Sequence, residues 1–293
     1  MLGRSSVLGS DEIGRTAIIN AINSLGISGS DVCIHSSVRS FAMPLKNGLK
    51  SIVDAFIERH CTIMVPTFSD MFEAKPVEKF MPPQNGAGDY SFLMQKQYSN
   101  VKVFSTDSKE ITVEEMGSFP KFVLECEGSV RGNNALNSFT ALGPNAKRLV
   151  SGQTNKDVYA PMKQLYDNDG YVLLMGVGLE SATIIHYAEQ VAGRRPFVRW
   201  AYDENMKTVP VSAGGCSEGF SHFEDILEIY ADKTTVGNSR WICFKARQIV
   251  DVCSRAIKNM PHITHCDDKN CDRCNDAILG GPVLNEDFWE NGV

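Results

Sequence analysis

The stretch YVLLMGVG, residues 171–178, constrains the fold more than any other: five apolar or aromatic residues in a row stop at Gly176 and Gly178. A run this short and this apolar reads as a buried strand, and the glycines as the turn that leaves it. The residues that follow, TIIHYAEQ (183–190), are apolar at helical spacing. A buried strand feeding a helix recurs along the chain. DEIGRTAIINAINSLG is helical in period, with Ser10 or Asp11 as candidate N-cap and Gly26 as its stop. DVCIHSS is a short strand ending in small polar residues, GLKSIVDAFIERH a second amphipathic helix, and CTIMVPTFS a buried strand broken at Pro66. Such alternation predicts an α/β fold with a mainly parallel central sheet flanked by helices, in which ligands gather at the strand C-termini.

Residues 71–100, with Pro76, Pro82, Pro83, Gly86 and Gly88, form a long excursion of the kind that serves as a lid or binding loop. EEMGSFPKFVLE then reads as a helix start after a loop, and SFTALGPNAKRLVSG as a turn into a helix. From Arg195 the pattern changes. FVRWAYDE and KTVPVSAGG read as strands of a smaller antiparallel unit, FSHFEDILEIYADK as a helix, and RWICFKARQIVDVCSRAIKNM as a strand running into a long helix. The expected division is a core over residues 1–194 and a smaller, mostly antiparallel C-terminal subdomain over 195–293, packed as one unit.

A net charge of −6 and no basic run longer than Arg194-Arg195 argue against nucleic acid as a partner, and suit a cationic small molecule. No apolar run approaches the roughly 20 residues of a membrane span, so no membrane partner is expected. Nine cysteines, an odd number, argue against a secreted disulfide framework. The N-terminal stretch lacks an extended apolar segment before a cleavage site, and the cytoplasm is the expected compartment. Either a monomer or a homodimer fits.

His186 and Glu189 lie three apart, on one face of the expected helix, with Thr183 where its N-cap belongs. A carboxylate beside an imidazole fixes its tautomer and stabilises the imidazolium formed when it accepts a proton. The same spacing also serves a buried structural pair at a helix start. The wider pattern bears on the choice. In order, DVCIHSSVRS, TIMVPTFS, MGSFPKFVLE, SVRGNNALNSFTALGPNA, LLMGVGLESATIIHYAE and SAGGCSEGF resemble the aminoglycoside N3-acetyltransferase family, over about residues 9–255.

That resemblance implies acetyl transfer from acetyl-coenzyme A to the 3-amino group of the 2-deoxystreptamine ring of an aminoglycoside. His186 would be the general base, Glu189 its orienting acid, and Thr183 a donor to the tetrahedral oxyanion. The matching segments imply that coenzyme A meets His35, Ser36, Ser37, Met116, Gly117, Arg131, Ser138 and Phe139. Asp70, Glu73 and Glu218 are the candidate carboxylates for a polycationic acceptor. The chain departs from the family where many relatives read Arg-Ser-x-His-Pro: here Asn134 and Ala135 stand for the His and Pro. Two further readings stay open, an acyltransferase of the same fold acting on another amine in biosynthesis, and a non-catalytic binding protein. Retention of both His186 and Glu189 argues against the second.

The segment HITHCDDKNCDRC gathers His262, His265, Cys266, Cys271 and Cys274. Cys-x-x-Cys with a nearby His is a spacing that zinc uses, and a closed structural site needs four ligands. The expected set is His265, Cys271 and Cys274 with Cys216 from the GGCSEGF loop, Cys266 being the other candidate for the fourth place. This tail resembles that of the apramycin-acetylating branch of the family.

Overall fold

A computed structural model describes residues 12–98 and 102–290. The candidate caps Ser10 and Asp11 lie outside these residues, and the first helix, Arg15–Ser24, follows Gly14 directly. Seven strands make the main sheet: β1 (Asp31–Ser36), β2 (Thr62–Pro66), β3 (Val130–Arg131), β4 (Phe139–Leu142), β5 (Tyr171–Met175), β8 (Asp232–Val236) and β9 (Ser239–Lys245), in the order β3-β4-β2-β1-β5-β9-β8. Two more, β6 (Phe197–Tyr202) and β7 (Thr208–Ala213), pair antiparallel as a separate hairpin.

The parallel character read from the sequence belongs to the centre of the sheet, where β2, β1 and β5 run together. Both flanks are antiparallel, β4 and β3 on one side, β9 and β8 on the other. The strand β8 was not anticipated. The segment read as one helix, FSHFEDILEIYADK, is a 3-10 turn (Glu218–Phe223), a single α turn (Glu224–Leu227) and another 3-10 turn (Glu228–Tyr230), after which Asp232 already belongs to β8. A tight turn at Gly237 and Asn238 then returns the chain as β9. The division expected after Arg194 therefore runs through the main sheet: β8 and β9 follow that point in sequence and complete the sheet begun by β1. Likewise SFTALGPNAKRLVSG, read as a turn into a helix, supplies β4 before its helix Ala146–Val150.

Side chains alternate across a strand, and the two faces meet different helices. Val32, Ile34, Leu173 and Met175 pack with Ile18 and Ile22 of Arg15–Ser24, Ile52 and Phe56 of Lys50–Glu58, and Phe119 of Ser118–Glu125. Cys33, Val172 and Leu174 face the opposite layer, with Met162 of Ala160–Asp167, Ile185 of Ile184–Val191, and Ile249 and Val250 of Ala246–Asn259. Trp241 of β9 is fully buried between Phe41 and Phe56, at ring separations of 6.3 and 6.4 Å.

The excursion after β2 is anchored as well as long. The Asn85 side chain donates to Val198 O at 3.0 Å and accepts Val198 N–H at 2.7 Å, capping the edge of β6. Phe80, Tyr90 and Leu93 pack with Trp200 and with Leu284, Phe288 and Trp289 of the tail. Because β1, β2 and β5 are parallel, their C-terminal ends open on one edge of the sheet. The excursion, the β6-β7 hairpin and the tail wall off the space beyond it.

Candidate active site and thiol cluster

A cleft of about 770 Å³ occupies that space. Its floor comes from the strand ends: His35 and Ser36 close β1, Pro66 closes β2 with Phe68 just beyond it, and Val177 follows β5. Thr183 and His186 enter from the helix Ile184–Val191, and Asn137, Gly214 and Gly215 complete the wall beside them.

His186 is 8 % exposed and Glu189 9 %, yet the imidazole borders the cleft. His186 Nδ1 meets Glu189 Oε2 at 2.7 Å. A carboxylate only accepts, so Nδ1 carries a proton, and in the neutral ring Nε2 is then the nitrogen with the lone pair. That nitrogen lies beside Gly214, where an added Cβ would come to 3.8 Å from it. The ring is stacked on Tyr159 at 5.9 Å and meets the edge of Phe220 at 4.7 Å, so its plane is fixed. The other Glu189 oxygen accepts from Arg194 at 2.6 Å, and Arg194 also donates to Thr264 Oγ1 at 2.6 Å and to Pro261 O at 2.5 Å. Burial alone raises the Glu189 pKa, but the hydrogen bonds and charges of His186 and Arg194 outweigh it and hold the carboxyl below its ordinary value. Thr183 occupies the N-cap position without capping, which leaves its hydroxyl available to the cleft.

Of the other candidates, Asp70, Glu73, Met116 and Glu218 line the cleft, joined by Glu115 and Glu180. Asp70 accepts from Thr112 Oγ1 at 2.5 Å, and Glu73 is ion-paired with Lys96. Gly117 has a φ of 82° and sits against the Ser36 carbonyl, so it shapes the wall without lining it. Ser37 does not line the cleft; its N–H donates to Met175 O at 2.9 Å, prolonging the β1-β5 ladder.

Arg131, Ser138 and Phe139 are not brought to the cleft either. Phe139 is buried in the core. Arg131 donates to Ser138 Oγ at 2.9 Å, Ser108 O at 2.6 Å and Thr67 O at 2.8 Å, so its guanidinium is committed to tying β2, β3 and β4 together. Asn134, where many relatives have His, is equally committed. Its amide N–H groups donate to Thr154 O and Ser212 O, and its oxygen accepts the Leu136 and Asn137 N–H groups. This turn presents Asn137, whose Oδ1 accepts Gly214 N–H at 3.1 Å beside His186.

Four thiols converge on the far side of the His–Glu pair. The sulfurs of Cys216, Cys266, Cys271 and Cys274 all lie within 4.8 Å of one another. A tetrahedron of sulfurs about 2.3 Å from a zinc ion has edges of about 3.8 Å, so the spacing suits that donor set. Cys266 takes the place expected of His265, whose Nδ1 donates to Cys266 O at 2.7 Å while Nε2 faces Asn275 Oδ1 at 3.1 Å. Burial pushes the Cys216 thiol up to about 11. Burial also acts to raise Cys271, but hydrogen bonds from the Cys274 backbone and the neighbouring thiols hold it below its ordinary value. A cavity of about 30 Å³ between the cluster and the His–Glu pair is lined by His186, Glu189, Arg194, Cys216, Arg273 and Cys274 among others.

The sequence reading missed Arg194 as the partner of Glu189, Tyr159 as the platform under the imidazole, and the cleft cations Lys96, Arg199 and Arg273. None of these has a helical or strand period to mark it: Arg194 lies in the turn after the helix of Glu189, and the others come from separate elements. Among the described residues, no helix is long and apolar enough to cross a membrane.

Known proteins similar to this chain share one family. Residues 33–258 match the family model described as aminoglycoside 3-N-acetyltransferase. Aminoglycoside N(3)-acetyltransferase IX of Micromonospora chalcea is 25% identical over 187 residues, covering 62% of this chain and 63% of that protein. The chain thus spans about 63% of the length of the curated relative it matches. The crystal structure of the aminoglycoside acetyltransferase AAC(3)-IVa apoenzyme superimposes with a TM-score of 0.72 at 21% identity, over 92% of this chain and 98% of that one. A mutant of that enzyme in complex with apramycin gives a TM-score of 0.69 at 20% identity, over 90% and 98%.

Proposed function

Since the chain belongs to the aminoglycoside 3-N-acetyltransferase family, we propose that it acetylates an amine of an aminoglycoside from acetyl-coenzyme A, the acceptor being the 3-amino group of the 2-deoxystreptamine ring. One observation carries the reading: an imidazole with a free Nε2, braced by a buried carboxylate, borders an acid-lined cleft at the ends of parallel strands. The acids Asp70, Glu73, Glu115, Glu180 and Glu218 outnumber the cations Lys96, Arg199 and Arg273 along its walls, which favours a polycationic acceptor. Such an enzyme would abolish a positive charge the drug needs, and so confer resistance.

In this mechanism the amine nitrogen attacks the thioester carbonyl carbon as His186 Nε2 takes its proton. Glu189 accepts the Nδ1–H throughout, stabilising the imidazolium as it forms. The Thr183 hydroxyl, unused as a cap, is the donor nearest in role for the tetrahedral oxyanion. Collapse breaks the carbon–sulfur bond, and the imidazolium returns its proton to the departing thiolate. His35, Ser36 and Met116, at the strand-end floor, are the residues we assign to coenzyme A.

Cys216, Cys266, Cys271 and Cys274 would hold a structural zinc ion. A closed four-thiolate site leaves no open coordination position, and its role is to fix the tail rather than to act on substrate.

The test is thiol release from acetyl-coenzyme A with a panel of aminoglycosides. Turnover that falls by about 10²–10⁴ in His186→Ala supports the reading. Turnover only with other amines replaces the acceptor, and none with any amine leaves a binding protein on an enzyme fold.

A further inference from the structure

The cleft's charges are not evenly mixed. Lys96, Arg199 and Arg273 gather where the excursion, β6 and the cysteine-bearing tail meet. Glu73 is the carboxylate that reaches this group, and it is already ion-paired with Lys96. Arg199 is 9 % exposed, and among the described residues its guanidinium donates to main-chain oxygens alone: Asn85 O at 3.1 Å, Val198 O at 2.7 Å and Gly86 O at 3.3 Å. No carboxylate among the described residues lies within ion-pairing distance of it. The next acid along, Asp276, is engaged by Gly86 N–H at 2.7 Å. Arg273 is exposed, and among the described residues neither an ion pair nor a hydrogen bond ties its side chain down. Burial and the like charge of Arg273 together pull Arg199 down to about 10. Carbonyls satisfy the N–H groups of a buried guanidinium without neutralising its charge, and Arg199, unlike the similarly buried Arg131, has a second cation, Arg273, acting on it. This corner therefore holds three cations against one acid, inside a cleft whose other acids lie elsewhere along it.

We propose that Lys96, Arg199 and Arg273 form an oxyanion subsite that receives a phosphate group of one of the two substrates. Arg199 supplies a fixed field from within the wall, while Arg273 and Lys96 reach the ligand directly. Arg273 borders both the cleft and the small cavity shared with His186 and Glu189, so the subsite opens toward the base. Two sources have the required chemistry, the phosphates of coenzyme A and a phosphate carried by the amine acceptor. The assignment of source rests on the acyl-transfer reading above; the anion site itself does not.

The experiment begins with calorimetric titration of inorganic pyrophosphate into the intact protein and into Arg273→Gln, Lys96→Gln and the double variant, each checked for fold by circular dichroism. Both side chains are solvent-accessible, so the variants retain the core. We expect binding that weakens about tenfold in each single variant and falls steeply with added salt. Steady-state kinetics then separates the sources. If the anion is the coenzyme's, Arg273→Gln raises the KM of acetyl-coenzyme A and spares that of acetyl-pantetheine, which lacks the phosphates. If it is the acceptor's, both donors are spared and only a phosphorylated aminosugar loses affinity relative to its unphosphorylated form. Absence of pyrophosphate binding, with every KM unchanged in the double variant, overturns the subsite. A protein that binds pyrophosphate through these residues but turns over no amine keeps the subsite and loses the transferase reading, so the two fail separately.

Discussion

Glu189 remains an anion at nine-tenths burial because two partners face its two oxygens, His186 on one and Arg194 on the other. Its depressed pKa means that its contribution to stability is present above the ordinary glutamate range and is lost as pH falls through the folded value. Replacing Arg194 leaves this carboxylate buried with half its support. Arg194→Met should cost about 3–5 kcal/mol in urea denaturation, and should lower kcat while leaving the KM of the acyl donor nearly unaltered. Partial recovery in Arg194→Lys would mark charge as the cause, and a KM effect alone would refute the positioning role. His35 gives the opposite pH lesson. Burial lowers its pKa to about 4 from an ordinary 6.5, with the Cys33 sulfur 3.6 Å from its Nε2. Between those values the unfolded chain binds a proton that the folded one refuses, so stability falls on acidification. The loss between pH 7.5 and 5 should be about 2 kcal/mol for this group. Urea midpoints across that range should flatten in His35→Gln; an equally steep decline would place the titration elsewhere.

At the scale of elements, the loop after β5 is where the fold makes the site. Gly176 has a φ of 71°, and a Cβ there would overlap Ser40 Oγ, a hydroxyl that also binds Ser37 O and Ser239 Oγ. Gly176→Ala should therefore cost at least about 2 kcal/mol, whereas Gly14→Ala, with nothing within 4 Å of the added carbon, should stay within about 0.5 kcal/mol. Equal urea midpoints for the two variants would contradict this. The strand–turn–helix through Gly176 was legible in the sequence because burial on both sides of β5 leaves a continuous apolar run and the helix keeps its 3.6 period. The strand β8 was not, because Asp232, Lys233 and Thr235 on this edge are exposed and leave no alternation to read. Arg131, Ser138 and Phe139 show another limit. The segment resembles one that meets a cofactor, but which side of β3 and β4 faces the cleft depends on their antiparallel register with β2, set by residues 60 or more positions away. The His–Glu pair was readable from local spacing; Arg194 folds back on Glu189 from the turn just after the same helix, five residues on, a separation with no helical period to flag it, while Tyr159 and Arg273 reach the pair only through packing between elements.

Across the whole molecule, the thiol cluster joins parts of the chain that the sheet does not. Cys216 follows β7, Cys266 follows the 3-10 turn Pro261–Thr264, and Cys271 and Cys274 sit at the start of the helix Asp272–Ile278. The fit between them is tight: a Cβ at Gly219 would come within 2.5 Å of both Thr264 O and His265 O. The same tail carries Thr264 to Arg194 and Arg273 to the cleft, so fixing the cysteines also fixes one wall of the site. The identity of the fourth ligand decides whether this account is right, since the local spacing favours His265 and the three-dimensional arrangement favours Cys266. Purified protein should carry about one zinc ion per chain by elemental analysis. Cys266→Ser should lose it, while His265→Ala, whose ring faces a carbonyl and an amide, should keep it. Chelation should lower Tm by about 5 °C or more and speed hydrogen exchange in residues 261–290, leaving β1, β2 and β5 protected. Those strands draw their stability from two helical layers that do not depend on the cluster. Should Cys266→Ser retain the metal and His265→Ala release it, the four-thiolate assignment falls, and His265 takes the place of Cys266 in the donor set.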